Sequence, residues 1–392
     1  MRSNIHHIQP TYLFILTLTF MSCGVSHSKP EGEETRTVMV ESPEKSSQKI
    51  MLALILDTSN SMDGLIEQAK SQLWSIVNEL SEAKCDDGAR PSLEIALFEY
   101  GNDDLPSSEG YIRMVSNLTN DLDEISSELF KLNTNGGDEY CGQVINKSIH
   151  KLDWSNSKAD LKMIFIAGNE AFNQGRYSYK VACNLANEKG IIVNTIFCGA
   201  FQEGVNTFWK SGADLTGGSY MSIEQDRKTV YIKTPHDDEI DRLNAELNKT
   251  YIHYGNQGKN KKEMQLVEDE NAGSYSQANR VKRAISKSSH VYKNSSWDLV
   301  DASKENESVV MDVEEKYLPQ EMQGMSDSQR KEYVYEQSAK REKLQEEIQR
   351  LSMKRKQYIV ENQSTEEAKN TLDQVMISAI KEAAKTKQLI FN

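Results

Sequence analysis

Apolar and polar residues follow two different rhythms along the chain, and the change of rhythm divides it. From Lys49 the run KIMLALILD is apolar almost without a break, the pattern of a strand buried on both faces of a sheet. SLEIALFEYG, LKMIFIAG and IIVNTIFCG repeat that pattern, YIRMVSNLT is shorter and more polar as an edge strand is, and GSYMSI ends the series near residue 232. Between the strands the spacing becomes helical. Leu65, Ile66, Ala69, Leu73, Ile76, Val77 and Leu80 share one face over residues 64–80. DLDEISSELFKL, CGQVINKSIHKL and YSYKVACNLANEKG read as further helices, with a short one over residues 204–211. Strands alternating with helices predict an α/β fold, a doubly wound and mostly parallel sheet over residues 49–232, with its binding site at the carboxyl ends of the strands.

Past residue 232 the strand rhythm stops. Thr234-Pro235 opens a helix, HDDEIDRLNAELNKTYI, with Ile240, Leu243 and Leu247 on one face and acids in its first turn. The rest of the 233–325 region is mixed and polar, and KNSSWDLVDA, with Trp297, Leu299 and Val300, is its one apolar anchor. Two helical stretches over 326–360 and 366–386 close the chain. Leu344, Ile348, Leu351 and Tyr358 form a stripe on the first, and Leu372, Val375, Met376, Ala379, Ile380 and Ala383 on the second. Joined by a short link at 361–364, they predict a helical hairpin or coiled-coil-like tail over 326–392, folded on itself or on the main domain, or else a partner-binding arm.

The amino terminus has its own pattern. TYLFILTLTFM is too short to span a bilayer permanently and reads as the core of a secretory signal over residues 1–22. It ends at Ser22-Cys23-Gly24, which resembles a bacterial lipobox although Phe20 stands where Leu is usual. The resemblance implies a lipidated Cys23 and a lipoprotein anchored to a membrane of the cell envelope, on the periplasmic or surface face of an outer membrane. Residues 23–48, rich in Ser, Pro, Glu and Gly, read as a flexible tether. Four further cysteines, Cys85, Cys141, Cys183 and Cys198, then sit in a compartment that permits disulfides. They are possible disulfide partners, with buried apolar packing as the alternative.

Charge changes the picture more than composition does. Formal net charge is −13, which excludes a nucleic-acid backbone as the main partner. Residues 45–232 hold −9 of it and residues 101–130 alone −6, so the field over the α/β body attracts cations and repels acidic partners. The seven histidines fall in no metal-binding spacing, no G-x-S-x-G elbow occurs, and GNQGKN at 255–260 lacks a phosphate loop's ending. No enzymatic chemistry is named by these residues, and none is expected.

Candidate chemistry lies directly after the first strand, in Asp57-Thr58-Ser59-Asn60-Ser61. A carboxylate and two hydroxyls on a tight loop are hard oxygen ligands suited to a small divalent cation. With this D-x-S-x-S motif in that position, residues 49–225 resemble the von Willebrand factor type A domain and its metal-ion-dependent adhesion site. The resemblance implies two further loops. In the second, TNGGDE at 134–139, Asp138 stands where the family has a Thr hydroxyl, with Thr134 as an outside candidate. In the third, Asn169 takes the place of the usual Asp, with Glu170 beside it. The implied metal set is Asp57, Ser59, Ser61, Asp138 and Asn169, holding Mg2+ or Ca2+. Two direct carboxylates leave such an ion a weaker acceptor for an acidic partner than an integrin-like site is.

The expectation is therefore a membrane-anchored lipoprotein whose metal site mediates protein binding or adhesion. The alternative is an envelope structural or assembly protein in which the helical tail binds the partner and the metal loop only stabilises the fold.

Overall fold

The computed structural model describes residues 48–224, 226–227, 230–362 and 371–391. The leader, Cys23 and the tether up to residue 47 lie outside the described residues. The described chain begins with β1 (Lys49–Asp57), α1 (Asp63–Ser81), β2 (Lys84–Cys85), β3 (Ser92–Tyr100), β4 (Ile112–Thr119), α2 (Leu122–Phe130), α3 (Cys141–Lys151) and β5 (Leu161–Gly168). There follow α4 (Tyr179–Glu188), β6 (Ile191–Cys198), α5 (Phe201–Asn206), α6 (Trp209–Asp214) and β7 (Tyr220–Ile223). Then come α7 (Asp237–Asn248), α8 (Gly258–Tyr275), α9 (Gln277–Lys287), α10 (Leu299–Glu305), α11 (Val309–Asp312), α12 (Asp327–Asn362), α13 (Leu372–Lys385) and β8 (Leu389–Ile390).

Six strands form one sheet in the order β4-β3-β1-β5-β6-β7, parallel except for the antiparallel edge strand β4. The doubly wound, mostly parallel α/β fold read from the sequence is the fold observed. Strand β1 shows why its code is a solid apolar run. Its even positions, Ile50, Leu52, Leu54 and Leu56, enter the core beneath α1, whereas Ala53 and Ile55 enter the core beneath α3 and α4. A strand at the centre of a parallel sheet covered on both faces has no solvent side to encode. The single helix expected over 204–211 is instead two short ones, α5 and α6, broken at Phe208, whose φ is 73°.

The helical region is continuous with this body, and the described residues form one compact unit. Leu243, Leu247, Val281, Ala284, Met376 and Ile380 share the core of Leu52, Leu54 and Trp74. The described helices of the 326–392 stretch lie folded on the rest of this body. Helix α12 packs on α7, α9, α10 and α11, while α13 packs on α1, β5 and β7. The last helix thus covers the sheet beside α1, and β8 pairs with β2 at the opposite end from the DTSNS loop. Residues 258–287, read as mixed and polar, are two packed helices. Among the described residues, no helix is long and apolar enough to cross a membrane.

A buried charge network makes the join. Arg283, fully buried, gives Nη1 to Asp123 Oδ1 of α2 and Nε to Asp269 Oδ1 of α8, each at 2.6 Å. Lys287 Nζ, also fully buried, reaches Asp269 Oδ2 at 2.9 Å, and Tyr292 OH donates to Asp123 Oδ2 at 2.6 Å. Burial alone raises the Asp269 carboxyl, but Lys287 and Arg283 outweigh it and hold it below the usual carboxylate range. Removing one member strands the others without compensation. Arg283→Ala is expected to cost about 3–5 kcal/mol of stability, with the sheet and helices still unfolding in one urea transition by tryptophan fluorescence and circular dichroism. A separate early transition of the helices would contradict the shared core.

Candidate functional site

Parallel order carries the carboxyl ends of β1 and β5 to the same edge of the sheet, with β3 on β1's other side. Asp57, the last residue of β1, is wholly buried there. Its Oδ1 accepts the Ser59 N–H at 2.8 Å, while Oδ2 is buried with no hydrogen-bond partner. Two glycines make room for it. A Cβ on Gly101 would stand 2.9 Å from Asp57 Oδ1 and 2.9 Å from Glu139 Cγ, and Gly101 has φ +79° besides. A Cβ on Gly168, at the end of β5, would stand 2.9 Å from Asp57 Oδ2 and 2.4 Å from Tyr100 OH. The Tyr100 hydroxyl is occupied elsewhere, donating to Ala167 O at 3.0 Å.

The DTSNS loop turns through a single 3-10 turn at Asn60–Met62 into α1. Ser59 Oγ and Ser61 Oγ lie 3.3 Å apart, and Asn169 Nδ2 donates to Ser61 Oγ at 3.0 Å. Asn169 Oδ1 is buried and, like Asp57 Oδ2, without a partner. The loops of Asp57, Ser59, Ser61 and Asn169 are therefore brought together. Asp138 is placed otherwise: it is exposed and accepts the Tyr140 hydroxyl at 2.8 Å on Oδ2. Its neighbour Glu139, only 7% exposed, is the acid that turns inward against Gly101. Thr134 donates to Asp63 at the start of α1, and exposed Glu170 accepts from Gln174 Nε2 at 3.2 Å.

Electrostatics follow from that packing. Burial, with Glu139 and Glu170 adding to it against the Ser59 hydrogen bonds, raises the Asp57 carboxyl to about 7. Burial, then Glu170, likewise raises Glu139 to about 7, against a Ser59 side-chain hydrogen bond. Two acids pressed together in a dry place, with orphaned oxygens at Asp57 and Asn169, suit a hard cation. Among the described residues no three His, Cys, Asp or Glu side chains converge to hold an ion by themselves. The set that fits is mixed: Asp57 and Glu139, the hydroxyls of Ser59 and Ser61, and the amide oxygen of Asn169. Sequence reading missed Glu139, and only its position beside the second-loop glycines pointed to it.

The remaining candidates are accounted for outside this cluster. Among the described residues no disulfide joins any two of Cys85, Cys141, Cys183 and Cys198, and the thiols of Cys141, Cys183 and Cys198 are free. Cys141, Cys183 and Cys198 pack in the two cores as small apolar residues, their thiols pushed up by burial. His150 is exposed on α3, its Nδ1 against Asn146 O at 2.8 Å.

Both site carboxyls titrate higher in the folded, metal-free protein than the ordinary values of 3.8 and 4.5. Between about pH 4 and 7 the folded state thus holds more protons than the unfolded chain, and its stability falls as pH rises through that window. In urea titrations of the metal-free protein the two raised carboxyls together imply a fall of up to about 7 kcal/mol between pH 4 and 8, and Asp57→Asn is expected to remove about half of it. Parallel pH profiles for the two proteins would contradict this placement of Asp57.

No protein-family model matches the chain, and no curated protein matches it in sequence. Solved structures do. The chain is similar to the von Willebrand factor type A domain of SpRpn10, with 15% identity over 45% of this chain and 88% of that one, at a TM-score of 0.34. It is similar to BatB from Bacteroides thetaiotaomicron, with 16% identity over 44% of this chain and 90% of that one, at a TM-score of 0.35. Proximal thread matrix protein 1 of the mussel byssus, in a form whose metal-ion-dependent adhesion motif holds zinc, matches with 13% identity over 45% of this chain and 42% of that one, at a TM-score of 0.32.

Proposed function

We propose that this protein is a lipid-anchored binding module of the cell envelope that engages a protein partner through a divalent-cation site, for Mg2+ or Ca2+, rather than an enzyme. The observation that carries the reading is Asp57: a fully buried carboxylate with one unpartnered oxygen, beside a second buried acid, at the edge of the sheet where its loops open to solvent. Asp57, Glu139, Ser59, Ser61 and Asn169 would hold the ion. Bound there, the cation neutralises the acid pair and offers a coordination position to an oxygen of the partner. Protein side chains do the rest. The Ser59 backbone N–H fixes the Asp57 rotamer, the Asn169 amide fixes the Ser61 hydroxyl, and Gly101 and Gly168 keep bulk out. Cys23 and the tether supply the anchor and the reach in this reading.

A second reading places partner binding on the helical region. Tyr335, Met353 and Val360 of α12 are 75%, 68% and 75% exposed, three large apolar side chains on one helix that a partner could cover. Pull-down in the presence and absence of EDTA separates the two. Partners lost with EDTA and with Asp57→Ala support the site at the sheet edge, and partners lost only when the α12 side chains are changed support the helix.

Calorimetry of the purified protein tests the ligand set directly. Asp57→Ala and Glu139→Gln are each expected to weaken Mg2+ or Ca2+ binding by on the order of tenfold or more, and Asp138→Thr to leave it unchanged. Loss of binding in Asp138→Thr with full binding in Glu139→Gln would overturn the assignment.

A further inference from the structure

Five exposed carboxylates surround the buried pair: Asp63 at the start of α1, Asp103 and Asp104 after β3, Asp138 before Glu139, and Glu170 after Asn169. Four of them accept hydrogen bonds from neutral side chains. Thr134 Oγ1 donates to Asp63, Asn135 Nδ2 to Asp104 Oδ1 at 3.0 Å, Tyr140 OH to Asp138 Oδ2 at 2.8 Å and Gln174 Nε2 to Glu170 Oε2 at 3.2 Å. The backbone ties the same loops together, with Asp103 N–H donating to Gly136 O and Asn135 N–H to Thr58 O at 3.0 Å. Exposed acids elsewhere pair with cations, as Glu109 does with Lys147, Asp214 with Lys210, Glu239 with Arg242 and Glu347 with Arg350. Around the site no such pair forms among the described residues. Nearby Arg113 is engaged by the buried Glu99, and Arg176 is the cation whose charge reaches Tyr140.

Neutral donors hold carboxylates in place without cancelling their charge, and that is how a surface is prepared for an incoming cation. The unpartnered, fully buried Asp57 Oδ2 at the centre shows that the cluster is built toward a ligand and is not merely a solvated acidic patch. One divalent ion offsets only the inner pair, which leaves the ring negative. Tyr111 and Tyr140, with ring centroids 6.1 Å apart, stand beside Asp138 and add an aromatic surface of the kind that favours guanidinium and ammonium groups.

We propose that the partner seated on this site presents a basic segment, rich in Lys or Arg, which the ring of Asp63, Asp103, Asp104, Asp138 and Glu170 recognises. This rests on the cation-site reading for its location, but it assigns the partner's chemistry to the ring. An acidic partner, even with a carboxylate to offer the ion, meets repulsion from every side of the approach.

Fluorescence anisotropy with two labelled peptides of equal length, one of alternating Lys and Ser and one of alternating Glu and Ser, tests it on the full soluble chain in Mg2+ buffer. The basic peptide is expected to bind and to weaken as salt rises. The triple variant Asp103→Asn/Asp104→Asn/Asp138→Asn is expected to weaken it at least tenfold. A control triple on α12, Glu332→Gln/Glu336→Gln/Glu346→Gln, changes net charge equally and is expected to leave it within twofold. Equal weakening in both triples, tighter binding of the acidic peptide, or binding of neither peptide overturns the proposal. Circular dichroism melts of both triples matching wild type make each of these outcomes interpretable. Asp57→Ala keeps the two claims apart. A protein that binds Mg2+ but shows no preference for the basic peptide refutes the ring alone, whereas ring-dependent peptide binding without any Mg2+ affinity refutes the cation site alone.

Discussion

A carboxylate with no partner for one oxygen is a costly thing to bury, and this fold buries one at the end of its most central strand. Asp57 stands at the end of β1, whose residues Ile50 to Leu56 are in the two cores or between them. It cannot move outward without drawing the strand with it, and Gly101 and Gly168 wall it in at contact distance. Glu139 is pressed against the same glycine, so the second charge adds to the first. Every other feature of the site follows from relieving that pair: hydroxyls at Ser59 and Ser61, an amide at Asn169, and a proton held near neutrality when nothing else is there. The structure therefore stores its instability at one edge of the sheet and its stability elsewhere.

Elsewhere means the helical region. The same physics that makes Asp57 unstable is resolved around Arg283, where buried charges of both signs satisfy each other across α2, α8 and α9. A second set does the same at Arg341, bound to Asp298 and Asp301 and to the carbonyl of Thr250, and fastens α12 to the α10 end of the region. With α13 laid beside α1 on the sheet, the loops of the site are mounted on a body braced from one face by some 150 residues of helix and connection. Rigid support of this kind keeps loop side chains within the tolerance that coordination and recognition demand.

How far this could be read in advance depended on what each segment buries. Strands β1, β3, β5 and β6 bury apolar side chains on both faces, so their code is continuous and unambiguous. The DTSNS loop was readable because it follows such a strand directly. In the second loop two adjacent acids, Asp138 and Glu139, compete for one inward position, and composition cannot choose between them. The choice is made by the path of the chain past Gly101, a residue some forty positions away. Helices α8 and α9 were missed for a different reason. Their inner faces carry Gln265, Glu268, Asp269, Arg283 and Lys287, which look like solvent-facing residues until their partners are known. The stripe on α13 said that the helix is buried on one side, but periodicity does not say against what, and the surface it fits belongs to α1 and the sheet rather than to α12.

The central claim is that the buried acid pair is the seat of a divalent cation. An anomalous-difference map from crystals of the protein grown in Mn2+ tests it most directly. The account predicts a single strong peak within about 2.0–2.6 Å of Ser59 Oγ and Ser61 Oγ and bounded by Asp57, Glu139 and Asn169, and its loss in Asp57→Ala. A map with no peak there, or with the peak held by Asp138 instead, would contradict it.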